Sequence, residues 1–208
     1  MKSYKIPEAT IMRLSIYIRF LGQLIDEGIS TISSRDIARG AAVSAAQVRK
    51  DLAYFGAFGT RGVGYQVDEL HETLRQILGQ DSQWNVMIVG AGRLGWALAC
   101  YPGFINKGFN VCAVVDTDPQ LIGKQVGGNC VSDSNEMETL IRSKDISIAL
   151  ITVPANKAQK VTNRLVEAGV PAILNFAPCV LHVPHGVLLR NVDFTINMEV
   201  LSYNLTNR

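Results

Sequence analysis

Gly90-Ala91-Gly92-Arg93-Leu94-Gly95 is a G-x-G-x-x-G sequence, and its surroundings decide what chemistry it could serve. The β-rich run Val86-Met87-Ile88-Val89 precedes it, and Trp96, Ala97 and Leu98 continue from it as a helix. Glycines at that spacing permit a tight turn, close approach of the backbone to a pyrophosphate, and close strand–helix packing. A second strand run ends at Val114-Val115-Asp116, which places a carboxylate twenty-one residues beyond Gly95. A carboxylate there can accept hydrogen bonds from ribose hydroxyls and repels the 2′-phosphate of NADP. Loop, strand and acid together point to NAD(H). The alternatives are a glycine turn that binds nothing, or a site for coenzyme A or another adenine nucleotide. Arg93, inside the loop, either neutralises phosphate charge or stands exposed in solvent.

A second set of chemically capable residues is cationic and lies in the first third of the chain. Residues 1–66 hold nine Lys/Arg against five Asp/Glu, and residues 67–208 hold eleven against thirteen, so +4 is followed by −2. A basic module on a mildly acidic remainder suits a polyanion partner. Arg49 and Lys50 fall in a helix opened by Ser44-Ala45-Ala46-Gln47, an S-x-x-Q capping box, with Val48, Leu52 and Phe55 turned inward. So placed, the two cations can reach base edges and phosphates in a major groove. Arg61, in the glycine-rich stretch Gly56 to Val67, can enter a narrow minor groove. Solvated surface charge is the plainer reading of all three.

The elements that must hold these residues follow from periodicity. Ile11, Leu14, Ile18, Leu21 and Ile25 recur at three- and four-residue spacing, so the sequence predicts an amphipathic helix from Glu8 to Glu27, opened by Pro7 and stopped by Gly28. A short helix over Ile32 to Arg39, with serine caps, precedes the Ser44 helix, and the three suggest a helix-turn-helix. Glycines alternating with aromatic and β-branched residues over Gly56 to Val67 predict a β-hairpin, giving a winged helix. Asp68 to Leu78 reads as a helix with His71 on a solvated face, and Gly79 to Gln83 as a linker. Beyond it, strand runs Val86 to Val89, Val111 to Val115, Ile146 to Val153 and Ala172 to Phe176 alternate with helical stretches such as Asn156 to Ala168. That alternation predicts an α/β fold with a doubly wound, mainly parallel sheet. Asn191 to Thr195 reads as a final strand and Met198 to Leu205 as a short helix. The expected organisation is a winged-helix DNA-binding domain over 1–79, a Rossmann-type NAD(H)-binding domain over 84–195, and a C-terminal helix over 196–208.

Composition narrows the function. With 48% hydrophobic and 18% charged residues over 208, the chain can bury a core and is not a disordered polymer. No apolar run approaches the ~18–20 residues of a membrane span, and Met1 to Pro7 lack the apolar core of a secretory signal, so a cytoplasmic protein is expected. Cys100, Cys112, Cys130 and Cys179 are far apart and read as buried small hydrophobes, not as a disulfide framework or metal site. His71, His182 and His185 offer no convincing proton donor beside a nicotinamide. No catalytic residue is therefore assigned, and a nucleotide-biased DNA-binding sensor fits both halves. An NAD-dependent oxidoreductase with an unusual helical domain, and a nucleotide-sensing interaction module without DNA affinity, are the other two readings.

The motifs Pro7-Glu8-Ala9-Thr10-Ile11, Ala46-Gln47-Val48-Arg49-Lys50-Asp51-Leu52, Tyr54-Phe55-Gly56, Thr60-Arg61-Gly62-Val63-Gly64-Tyr65, Tyr101-Pro102-Gly103-Phe104, Asn175-Phe176-Ala177-Pro178 and Asn191-Val192-Asp193-Phe194 resemble those of the bacterial redox-sensing repressors of the Rex family. The resemblance runs from about Ile6 to Leu205. It implies a homodimer that binds a palindromic double-stranded operator with NAD⁺ or no ligand and lets go with NADH. By position it implies that Gly90, Ala91, Gly92, Arg93, Leu94 and Gly95 cradle the pyrophosphate, with Asp116 on the ribose. Tyr101 and Phe194 come near the nicotinamide, and Val153-Pro154 and Asn175-Phe176 line the ligand. Ser44, Gln47, Arg49, Lys50, Tyr54, Arg61, Gly62 and Tyr65 face DNA. Arg19 and Asp193 resemble a pair that joins the two domains in one conformational state. The C-terminal helix, with Val200, Leu201 and Leu205, crosses to the partner subunit. The family often has serine where Ala45 and Ala53 stand, which bears on operator affinity. No metal is implied.

Overall fold

Pro7, with its preset φ, stands before the first helix, α1 (Glu8–Asp26), and Gly28 follows it with φ +74°. The computed structural model describes residues 6–56, 58–60 and 62–207, and it divides into two compact units, Met1–Ser82 and Gln83–Arg208. In the first unit α1 buries Thr10, Leu14, Tyr17, Ile18, Leu21 and Leu24. The buried stripe is therefore rotated from the expected one: Ile11 is half-buried and Ile25 exposed, while Tyr17 and Leu24 point inward. Tyr17 turns in because its hydroxyl has a buried partner, described below.

A two-residue strand, β1 (Thr31–Ile32), leads into α2 (Ser34–Gly40), where Ser33 Oγ accepts from Asp36 N. The next helix is α3 (Ala45–Ala53), and Ser44 Oγ accepts from Gln47 N at 3.1 Å. Only half of the capping box forms: the Gln47 side chain turns to Asp51, donating Nε2 to its carboxylate, and does not accept from Ser44 N. Of the expected hairpin over Gly56 to Val67, Ala57 and Arg61 lie outside the described residues. Among the described residues an antiparallel bridge joins Thr60 to Gly64 in a tight turn, and β2 (Tyr65–Gln66) pairs antiparallel with β1. Gly59, Gly62 and Gly64 all take positive φ, the conformation that such a tight turn requires. α4 (Val67–Ile77) closes the unit, packing Val67, Leu70 and Leu74 on the core of α1.

The second unit is a seven-stranded sheet. In chain order its elements are β3 (Trp84–Val89), α5 (Arg93–Ala99), β4 (Phe109–Asp116), β5 (Gln125–Val126), β6 (Asn129–Asp133), α6 (Met137–Ser143), β7 (Ile148–Ile151), α7 (Ala155–Glu167), β8 (Ala172–Asn175), β9 (Leu188–Asn191) and α8 (Phe194–Thr206). The sheet order is β5-β6-β4-β3-β7-β8-β9, parallel except for the β5 edge. From β3 the chain winds outward through β4 and β6, then returns to β7 and winds the other way, so the strand order reverses between β4 and β7 beside β3, where open α/β sheets take ligands. Successive residues of β3 serve opposite faces: Val86 and Ile88 join α5, whereas Met87 and Val89 join α6 and α7.

Three sequence expectations need correction here. The final strand is Leu188–Asn191 and not Asn191 to Thr195, and the last helix begins at Phe194, ahead of residues 196 and 198. Asp193 sets that start, because its carboxylate accepts from Thr195 N and Oγ1 as a helix cap. The cysteines are not all buried: Cys100 and Cys130 are exposed and Cys112 and Cys179 partly so, all four as free thiols. Among the described residues no helix is long and apolar enough to cross a membrane.

Candidate functional site

The glycine loop sits at the carboxyl end of β3. Gly90 takes φ +106°, and a Cβ there would lie 2.9 Å from the Thr152 carbonyl. At Gly95 a Cβ would come within 1.8 Å of the Gly90 oxygen, so the first turn of α5 can rest on the loop only without a side chain. Gly92 is the opposite case: a Cβ would meet nothing within 4 Å, and the bare backbone faces open space. Gly92 is also the N-cap of α5 and supplies no side-chain cap, which leaves the positive end of the helix to an anion. Arg93 and Leu94 stand exposed in that first turn, and Ala91 is buried beneath it.

Asp116 ends β4 beside the loop. Its Oδ2 accepts from Ala91 N at 2.5 Å, and Oδ1 accepts from Thr117 N at 2.7 Å and Asp118 N at 2.9 Å. An ionised carboxylate offers about four lone-pair sites, so three backbone donors leave room for a hydroxyl of a ribose. Gly90, Gly92, Asp116, Val153 and Pro154 line one cavity of about 300 Å³, together with Ser134, Met137, Thr152, Lys157, Val161 and Arg164. Arg164 is held there by Glu138, at 2.7 and 2.9 Å, and by the Ser134 carbonyl. That ion pair lowers the Glu138 carboxyl below its ordinary value. Thr152 donates to the Gly90 carbonyl at 2.7 Å and fixes the loop from below. The sequence reading missed Thr152. Its only signal was its position at the end of a strand run, next to Val153-Pro154.

The remaining ligand-side residues fall into two groups. Tyr101 lines a separate cavity of about 300 Å³ with Ala99, Phe104 and Gly127, its ring edge-on to Phe104 at 5.2 Å. Phe176 and Phe194 pair with ring centroids 6.4 Å apart. Asn175 does not present its amide to a ligand. It is fully buried, accepts from Ala177 N, and donates to the carbonyls of Ala177 and Cys179 and to Asn191 Oδ1. Its side chain shapes the loop that carries Phe176. Among the described residues no His/Cys/Asp/Glu group could hold a metal ion.

In the first unit, Arg49 and Lys50 are exposed on α3, and Arg49 donates to Ser34 Oγ at 3.0 Å across the turn. Ser44 and Tyr54 are exposed at the two ends of the helix. Gly62 is exposed in the turn between Thr60 and Gly64. A cavity of about 520 Å³ opens between Ser33, Ser34, Arg49, Thr60, Gly62 and Tyr65. Tyr65 is buried in the core and supports the turn from beneath, and Gln47 is half-buried with its amide on Asp51. Arg61 lies outside the described residues. Asp51, which the sequence reading passed over, is fully buried on α3. The available signal was its place at the same helical spacing as Val48 and Leu52.

A capped second helix with exposed cations, joined in one chain to a sheet with a glycine loop and an acid on the next strand, defines a two-module protein: a helix-turn-helix unit and a dinucleotide-type α/β unit. Comparison with known proteins agrees module by module and over the whole length. Residues 5–53 match the family model "Putative DNA-binding protein N-terminus", and residues 81–179 match "CoA binding domain". The redox-sensing transcriptional repressor Rex of Syntrophomonas wolfei is 55% identical over 99% of this chain and 98% of its own. That of Streptomyces coelicolor is 47% identical over 98% and 79%. Among solved structures, RSP in complex with β-NAD⁺ and operator DNA is 40% identical with TM-score 0.93, covering 97% of this chain and 93% of that one. RSP in complex with β-NADH is 38% identical with TM-score 0.90, over 99% and 96%. The chain belongs to the Rex family of redox-sensing transcriptional repressors.

Proposed function

We propose that this protein is a homodimeric repressor that binds a palindromic operator through α3 and the Thr60–Gly64 turn, and lets go when NADH is bound. It is a regulator and not an enzyme. The observation that carries the reading is the full-length likeness to a repressor solved with both operator DNA and β-NAD⁺. The local geometry supports it: the open face of Gly92 and the spare acceptor capacity of Asp116 fit a pyrophosphate and an adjoining ribose. Gly90, Gly92, Arg93 and Gly95 would hold the phosphates, Asp116 the ribose, and Val153 and Pro154 the wall of the cavity. When bound, the coenzyme supplies a nicotinamide that is charged and planar if oxidised, uncharged and puckered if reduced. Tyr101, Phe176 and Phe194 are apolar groups that favour the uncharged ring by excluding water. A ligand shifts an equilibrium only by its differential affinity for the two states.

Arg19 and Asp193 belong to different units, and we assign them the contact that distinguishes the two states. Asp193 Oδ1 is occupied as the cap of α8, and its other oxygen is the one an arginine would take. The dimer reading rests on α8, where Phe194, Ile196, Met198, Val200, Leu201, Tyr203 and Leu205 are each at least 56% exposed. A groove of about 320 Å³ along Val86, Leu150, Leu174 and Leu188, on the face of the sheet that carries α5, is correspondingly uncovered. The α8 helix of a second copy fits that apolar surface. The protein then acts in the cytoplasm, where its operator is.

Fluorescence anisotropy on palindromic duplexes selected from a random pool, at fixed salt, tests the reading. Binding that NADH reverses and NAD⁺ does not is expected. Lys50→Ala should weaken binding to DNA while NADH affinity stays unchanged. Binding that neither coenzyme alters would remove the sensor, and turnover of a small substrate with NAD(H) would favour an oxidoreductase.

A further inference from the structure

The helix assigned to DNA carries a buried charge that contact with DNA does not use. Asp51 is fully buried, yet it follows the exposed Lys50 directly. Arg13 donates Nε to Asp51 Oδ2 at 2.6 Å and Nη2 to Oδ1 at 2.7 Å. Tyr17 Oη donates to Oδ2 at 2.8 Å and Thr10 Oγ1 to Oδ1 at 3.1 Å. The fifth donor, Gln47 Nε2 at 2.8 Å, comes from α3 itself. Thr10, Arg13 and Tyr17 stand at i, i+3 and i+7, so one face of α1 delivers four hydrogen bonds to one carboxylate of α3.

Such a cluster is a poor way to gain stability. Removing a carboxylate and a guanidinium from water is costly, and well-packed apolar residues of similar volume often serve as well or better. What directional bonds add is a single allowed arrangement, since apolar contact alone lets one helix roll or slide on another. We infer that Asp51 is a positioning residue: it rivets α3 to α1, so that the two helices form one rigid body and Arg49 and Lys50 are presented at a fixed angle. Arg19 lies on the exposed side of the same α1. Any load taken by Arg19 is therefore passed to α3 through the rivet. The inference rests on the DNA-binding reading above. Burial alone would raise the Asp51 carboxyl, but the hydrogen bonds from Arg13, Tyr17, Gln47 and Thr10 prevail and hold it at about 2, so the rivet is charged at any working pH.

The test separates position from stability. Arg13→Met, Tyr17→Phe and Asp51→Leu are combined in one variant, replacing the charged core of the cluster by apolar groups. The full-length protein is then measured for thermal unfolding, NADH affinity, and binding to operator and to a scrambled duplex at one salt concentration. Expected are a melt and an NADH affinity like the parent's, with the preference for operator over scrambled DNA lowered by about 10-fold or more, the discrimination of one good bidentate base contact. A variant that prefers the operator as strongly as the parent would overturn the rivet. If the triple variant does not fold, Tyr17→Phe alone decides. It keeps the ion pair, should lower the preference by about 3-fold through loss of one hydrogen bond, and an unchanged preference would overturn the inference. A parent that binds neither duplex would instead overturn the DNA-binding reading beneath it.

Discussion

Asp51 and Asp116 stand in different units and are each held by several donors, but the donors differ in kind. Asp51 is surrounded by side chains from two helices and fully buried. Asp116 is only half-buried at a strand end and takes its three hydrogen bonds from the backbone of the glycine loop and of its own turn. A carboxylate whose lone pairs are all filled from within the protein has nothing left to offer a ligand, and its effect is to fix geometry. One that is anchored by backbone and still open to a cavity can be rigid and receptive together. The first unit thus closes its acid off from within, and the second leaves its acid open to a cavity.

The contrast is sharpened most by Gly95→Ala. The new Cβ would stand 1.8 Å from the Gly90 oxygen and 2.9 Å from Thr152 Oγ1, so the start of α5 must shift. Calorimetric NAD(H) affinity should fall on the order of 100-fold if, as proposed, the loop takes the pyrophosphate, while operator binding without coenzyme stays. Loss of both would break the separation between the units. Acid comes next. The Asp51 carboxyl sits at about 2 when folded against an ordinary 3.8, so the unfolded chain takes up its proton first as pH falls. Stability from this group is complete above 3.8 and is lost on descending through 2, a contribution of about 2 kcal/mol. From like stabilities at neutral pH, denaturant unfolding of the parent should fall below that of the triple variant by this amount across that window; parallel curves would mean the carboxylate is not held as described. The smallest effect is expected for Asp116→Ala. NADH affinity should drop by about 10-fold, since hydrogen bonds to an ionised carboxylate are worth about 1.5–3 kcal/mol. Discrimination against NADPH should narrow, and the thermal melt should fall modestly, because the buried Ala91 N loses its acceptor. An unaltered NADH response would remove Asp116 from the ribose site.

Local signals were read directly where the cause is local. Pro7, Ser33, Ser44 and Gly28 mark helix ends because capping involves only neighbouring residues. The glycine loop and Asp116 were legible because the motif is itself a statement about backbone space, and the open face of Gly92 and the crowded one of Gly95 bear this out. The strands β6 and β9 and helix α6 were not legible. Asn129–Asp133 and Leu188–Asn191 carry polar residues and depend on the sheet beside them for pairing. Asn175 was read as a ligand residue, whereas its amide is committed to the carbonyls of Ala177 and Cys179 and to Asn191, sixteen residues away. No spacing announces such a partner.

By itself, the order of residues determined the two-module plan: a helical first third with capped helices and cations at α3, then alternating strands and helices bearing a loop with three glycines and an acid. Those features depend on propensity, capping and the absence of a Cβ, all of which act over a few residues. Tertiary structure decided what each polar group is for. It brought Arg13 to Asp51 across thirty-eight positions and Thr152 to Gly90 across sixty-two. It turned Tyr17 and Tyr65 inward and left the apolar residues of α8 outside. A side chain's role is set by whether its hydrogen bonds are already satisfied, and the partners that satisfy them are assembled only when the chain folds.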